Sequence, residues 1–107
     1  MIDGKITIGG VEHPYRRSLG AFHEFDIRWK ADGVSIMNTA PTEFTLEQIS
    51  YLIYCIVKSG HIVEGTSFEL TAEQLFHMIG VEEMNDFAKQ GFGMVASSDK
   101  ATGEKKT

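Results

Sequence analysis

Four histidines, a single cysteine and a few clustered charges are the first side chains to weigh for chemistry in this 107-residue sequence. His13, His23, His61 and His77 include no i,i+4 pair, so no helix face offers the two imidazoles of a helical zinc site. Taken singly, each reads as a surface or partly buried polar residue. Cys55 sits inside an apolar helical run with no local base or helix start to lower its pKa, which marks a core-filling thiol rather than a nucleophile. One cysteine also excludes an internal disulfide framework and a cysteine-rich zinc site. Glu82 and Glu83 could be imagined as an acid/base pair, but adjacent helical residues diverge by about 100°, and a solvated helix start accounts for them better. Asp26 lies near an aromatic stripe, where it can bond Arg28, Lys30 or a backbone donor. Phosphate loops, H-E-x-x-H and G-x-S-x-G are all missing from the sequence. The expectation is a protein that is not an enzyme, with no cofactor and no metal. The alternative of another class is a small-molecule-binding or catalytic domain built on His23, His61 or His77; a closed pocket lined by two of them would favour it.

Four residues carry a binding reading instead. Arg16 and Arg17 stand in the most cationic part of the chain, between a strand and a helix. They are either a solvated edge that deters strand addition or an anchor for an acidic partner, a neighbouring copy included. Tyr51 and Tyr54 lie on the side of a helix opposite its aliphatic face. That helix is apolar nearly all round, so either its own domain covers both sides or the tyrosine side meets a partner.

The elements that must position these residues can be read in order. Ile6 and Ile8 alternate with Lys5 and Thr7, Gly9-Gly10 supplies a turn, and Val11 to Tyr15 returns, which is a β-hairpin whose second strand is an edge because of Pro14. Ser18 caps a helix from about Leu19 to Lys30 with a stripe of Leu19, Phe22, Phe25 and Trp29, ended by Ala31-Asp32-Gly33. Val34 and Ile36 offer a third short strand, and Pro41 closes the connection. Thr45 and Gln48 form a capping box for a second helix, with Gly60 as its C′ residue. Leu46, Ile49, Ile53, Ile56 and Val57 share its core face, with Leu52 at the margin. Thr71 and Gln74 form a second capping box, for a short helix that stops at Gly80. Glu82 and Glu83 open a last helix with Met84, Phe87, Ala88, Met94 and Val95 on one stripe, weakened by Gly91 and Gly93. The fold class is α+β: an N-terminal β-hairpin, with a third short strand as an option, packed with three to four α-helices. One domain spans residues 1–96, followed by a flexible tail over 97–107.

Charge narrows the partners. The net charge is −5, from 10 Lys+Arg and 15 Asp+Glu. Residues 1–30 hold five cations and four acids, whereas residues 31–96 hold Lys58 and Lys89 against nine acids, a net of −7. Such a body disfavours phosphate backbones, and the spacing of Lys58 and Thr71 is too long for a helix-turn-helix reader. Nucleic acid is therefore not expected as a partner, and neither is a membrane, because no apolar run reaches the ~20 residues of a span. The N-terminus lacks the apolar core of a secretory signal, which points to the cytoplasm.

The order of segments resembles that of the tail assembly chaperones of long-tailed bacteriophages and prophages. The likeness rests on KITIGGVEHPYRRSLGAFHEFD, with its hairpin, Pro-Tyr pair, Leu19-Gly20-Ala21 helix start and Phe25-Asp26 pair, and on FTLEQISYLIYCIVKSG and FELTAEQLFHMIG. It covers roughly residues 4–90; Ile27 and Trp29 depart from the Glu/Lys-rich helix end usual there. The resemblance implies a non-catalytic chaperone in the bacterial host cytoplasm that keeps the tape-measure protein soluble, helps recruit the major tail protein and is absent from the finished particle. It also implies a frameshifted longer form, for which the Lys105-Lys106 pair suits a slippery site; a homo-oligomer is a separate option, from the tyrosine side of the second helix and the arginine pair. The runner-up is a structural protein kept in the virion, such as a tail joint or completion protein.

Overall fold

A chain with two strong capping boxes and one diglycine turn has few ways to arrange its local structure. The computed structural model describes residues 1–89. Strands β1 (Gly4–Ile8) and β2 (Val11–Tyr15) pair antiparallel, with Ile6 opposite His13 and Ile8 opposite Val11. Gly9 and Gly10 take φ values of 59° and 85°, the left-handed conformations that a two-residue turn between twisted strands demands. Alternation sends Ile6, Ile8 and Tyr15 into the core. A two-stranded hairpin is marginal in water, and here the helices cover its inner face.

Helix α1 (Leu19–Trp29) starts where the Ser18 hydroxyl accepts from the Ala21 amide at 3.1 Å. Its buried face is Ala21, Phe25 and Trp29. The expected stripe is thus rotated: Leu19 is 89% exposed while Ala21 is buried, and the start of α1 meets the neighbouring helix α2 (Leu46–Glu64) through the Ser18 and Ser59 hydroxyls, 2.6 Å apart. A 3-10 turn over Lys30–Asp32 and Gly33 at φ 72° end α1 as expected.

The third strand does not form. The Asp26 carboxylate accepts from the Ile36 amide at 2.9 Å, and Ser35 donates to the Asn38 side chain at 3.1 Å. These side chains take the backbone donors that a ladder would need, while Val34 and Ile36 still pack against the core.

Thr45 and Gln48 close both bonds of the capping box that opens α2, and helix α3 (Ala72–Met78) opens on the equivalent pair, Thr71 and Gln74. Gly60 does not end α2, contrary to its reading as a C′ residue. The helix runs on to Glu64 and ends at Gly65, φ 73°, whose amide reaches the carbonyls of His61 and Ile62. Gly60 is instead the floor on which β2 rests: a Cβ there would lie 2.7 Å from the Cα of Tyr15. Its bare backbone lets strand and helix approach closely.

Along α2, Leu52, Ile53, Cys55, Ile56 and Val57 are buried, and Ile49 is partly so. Leu46 departs from the expected core face and is 68% exposed. Leu75 of α3 and Phe87 of helix α4 (Val81–Lys89) complete the core, Phe87 meeting Tyr15 edge-on at 5.3 Å. Among the described residues no helix is long and apolar enough to cross a membrane. The expectations for Gly91, Gly93, Met94, Val95 and the tail over 97–107 fall outside the described residues.

Candidate functional site

Arg16 and Arg17 follow β2 and are held by one acid, Asp3, that stands just ahead of β1. The Asp3 carboxylate accepts from the Arg17 amide at 2.8 Å and from its Nε at 2.9 Å, and pairs with Arg16 Nη1 at 3.4 Å. Burial alone would raise the Asp3 pKa, but the amide and guanidinium of Arg17, with Arg16 beside them, hold it below the ordinary carboxylate range. Both arginines keep about a third of their side chains exposed (35% and 33%), so each has a face left for solvent or a partner.

Tyr51 and Tyr54 belong to a row of rings along α2. Phe25 lies 6.4 Å from Tyr51, Trp29 6.2 Å from it, Tyr54 5.6 Å beyond, and Phe68 5.8 Å from Tyr54. The domain therefore covers much of both sides of α2, leaving the two tyrosines half-buried. Burial pushes the Tyr51 hydroxyl up to about 12. It pushes the Cys55 thiol up as well, which keeps that group a neutral core filler. Cations frame the row. The Arg28 guanidinium lies 4.0 Å above the Trp29 ring, and Lys58 sits 5.8 Å from Tyr54 while pairing with Glu24 at 3.3 Å.

The histidines divide. His23 and His77 line separate shallow depressions, the first with Asp26 and Lys30, the second with Glu47 and Tyr51. His13 and His61, 48 residues apart, meet with Nδ1 of one 3.0 Å from Nε2 of the other. The ring centroids lie 5.2 Å apart, the separation of two imidazoles joined end-on, so their lone pairs do not converge on a shared metal position. His61 stacks on Phe68 at 5.0 Å, and its Nδ1 meets the Thr66 hydroxyl at 2.7 Å. With Thr66 donating to the His61 carbonyl, Nδ1 of His61 donates to Thr66 and Nε2 accepts from His13. Among the described residues no three His, Cys, Asp or Glu side chains gather as metal ligands.

Glu83 stands in the first turn of α4, as expected, and also reaches the hairpin turn. Its carboxylate accepts from the amides of Gly9, at 2.9 Å, and Gly10, at 3.0 Å, across the hairpin turn, and from Gly80 at 3.0 Å. The Gly80 bond is the main cause of its lowered pKa; burial opposes it and the two turn amides assist. Glu82 beside it is exposed.

A surface that periodicity did not single out lies where the start of α2 meets α3 and α4. Leu46, Phe76, Ile79, Val81 and Met84 line an apolar groove of about 330 Å³. Leu46 is 68% exposed and Val81 78%. Glu82 and Asp86, next in sequence to Val81 and Asn85, stand exposed on α4, while Glu47, next to Leu46, pairs with Arg28 at 3.6 Å. The signal available in the sequence was Leu46 and Val81 at first-turn helix positions, beyond the reach of the core. Comparison with protein-family models, with curated proteins and with solved structures finds no match for this chain.

Proposed function

We propose that this chain is a non-catalytic protein-binding and assembly factor, acting as a tail assembly chaperone of a long-tailed phage or prophage in the host cytoplasm. One observation carries the reading: an acidic body that keeps large apolar side chains, Leu46 and Val81 above all, in solvent around a groove. A holder of protein needs both properties, apolar surface to engage its client and net charge to stay soluble while doing so. The acidity argues against phosphate backbones as clients. Arg16 and Arg17, each about a third exposed, and the half-buried Tyr51 and Tyr54 are further contact candidates. The named clients, a tape-measure protein and a major tail protein, come from the likeness of the hairpin and the two capped helices to that family.

The test is to look for a tape-measure gene beside this one, to co-express its product with this chain, and to analyse purified particles by mass spectrometry. The tape-measure protein should become soluble and co-purify with the chain, and the particles should lack it. A tape-measure protein that stays insoluble overturns the reading. A chain found in the particles supports the tail-joint alternative instead.

A further inference from the structure

Arg16 and Arg17 admit two readings, a charged edge that deters strand addition and an anchor for an acidic partner, and their geometry favours the second. Both stand beyond Tyr15, the last residue of β2, so neither charge lies along the strand it would have to guard. Both are also held more firmly than a deterrent requires. The Arg16 amide donates to the Ile56 carbonyl of α2 at 2.8 Å, and the Ser18 hydroxyl meets that of Ser59 at 2.6 Å. The Asp3 amide donates to the Tyr15 carbonyl at 2.9 Å, which fixes the carboxylate that binds both guanidinium groups. Each arginine spends one nitrogen on Asp3, Arg16 its Nη1 and Arg17 its Nε, and among the described residues no other acceptor reaches either side chain. Both Nη groups of Arg17, with Nε and Nη2 of Arg16, keep N–H groups for a ligand. They border a cleft of about 350 Å³ lined by Asp3, Arg16, Arg17 and Phe22. Two cations and one acid leave that cleft a single positive charge, in a chain whose net charge is −5.

We propose that this cleft is a carboxylate clamp, which takes an acidic side chain of a client protein between Arg16 and Arg17 while Phe22 receives the apolar residue beside it. The inference rests on the reading of the chain as a protein-binding factor and names the chemistry of one contact. A carboxylate is planar and meets the paired Nη groups of a guanidinium through two parallel bonds. Its single charge balances that of the cleft, whereas a phosphate group, with about two negative charges, brings an excess into an already acidic protein. Asp3 is a positioning residue. It sets side by side two like charges that would otherwise repel, and a pair fixed in advance loses little freedom on binding.

NMR of the arginine Nε–H signals in the full-length protein tests this. The probes are a blocked peptide of two glutamates flanked by leucines, its glutamine twin and inorganic phosphate, all at matched ionic strength. The glutamate peptide should shift the Arg16 and Arg17 signals saturably, and the other two probes should bind roughly tenfold more weakly or worse. Arg17→Lys keeps the charge, loses the fork and should weaken peptide binding about tenfold. Asp3→Asn separates a clamp from plain attraction: it makes the cleft more positive, so attraction alone would tighten binding, whereas loss of the fixed geometry should weaken it. Amide spectra should show the native fold in both variants, and Arg17→Lys decides by itself if Asp3→Asn does not fold. An absent shift, equal binding of the glutamine twin or of phosphate, or tighter binding by Asp3→Asn overturns the proposal. The peptide assay needs no tape-measure protein, so a clamp that binds beside an insoluble tape-measure protein stands while the chaperone reading falls. A solubilised tape-measure protein whose capture ignores Arg17→Lys removes the clamp and leaves the chaperone reading in place.

Discussion

His13 Nδ1 lies 3.0 Å from His61 Nε2, so that one hydrogen bond between imidazoles joins the second hairpin strand to the last turn of α2. Burial is the main cause lowering both ring pKa values from the ordinary 6.5; the His61 charge adds to it at His13, whereas Glu64 opposes it at His61. Depressed bases are protonated in the unfolded chain before they are protonated in the folded one. As pH falls below the ordinary value, the unfolded state therefore binds more protons and stability drops; above it the pair adds no pH dependence. Urea midpoints should fall between about pH 7.5 and about pH 5, with a smaller fall in His13→Gln. Proton NMR titration should place both ring midpoints below 6.5, and a midpoint at or above that value would refute the assignment.

Gly60 and Gly20 should respond oppositely to alanine. At Gly60 the new methyl meets the backbone of Pro14 and Tyr15, neither of which can yield without moving β2. Alanine gains about 1 kcal/mol of helix propensity there, yet overpacking costs about 1–3 kcal/mol, and the net change should be a loss. Gly20 is exposed in the first turn of α1, with its nearest neighbour an ordinary 3.8 Å away, so Gly20→Ala should stabilise by about 0.5–1 kcal/mol. Chemical denaturation of the two variants compares them directly.

Glu83 and Glu82 are neighbours with different duties. Glu83→Ala removes the acceptor of the Gly9 and Gly10 amides and should cost about 1 kcal/mol, a value kept low because these bonds are exposed. Hydrogen exchange at the two turn amides should speed up in that variant and stay unchanged in Glu82→Ala. Because the Glu83 pKa is lowered on folding, its contribution holds above the ordinary glutamate range and is lost as pH falls through the folded value.

Cys55 is 1% exposed and its thiol is pushed far above the ordinary range by burial. A thiol reagent should leave the native protein unlabelled near neutral pH and label it stoichiometrically once denaturant opens the core. Rapid native labelling would show that α2 opens locally far below the global unfolding free energy.

The elements legible in the sequence are those whose defining hydrogen bonds span three or four residues. Ser18 to Ala21, Thr45 with Gln48 and Thr71 with Gln74 place three helix starts, and the diglycine turn places the hairpin. Val34 and Ile36 misled because their β-branched side chains suit a strand, whereas the Val34 amide goes to the Trp29 carbonyl and the Ile36 amide to Asp26, ten residues earlier. Gly60 misled in the same way. A glycine late in an apolar helical run reads as a terminus, and only the close approach of β2 shows why it sits inside the helix.

The sequence by itself determined the α+β class, the acidic body and the location of the caps and turn, because each follows from composition or from contacts between near neighbours along the chain. Tertiary structure alone decided that His13 meets His61, that Glu83 holds a turn 73 and 74 residues away, and that Leu19 and Leu46 stay in water. Helical periodicity says which side chains share a face. Which part of that face finds a neighbour depends on where distant elements come to rest, and the apolar residues left over are the ones available to a partner.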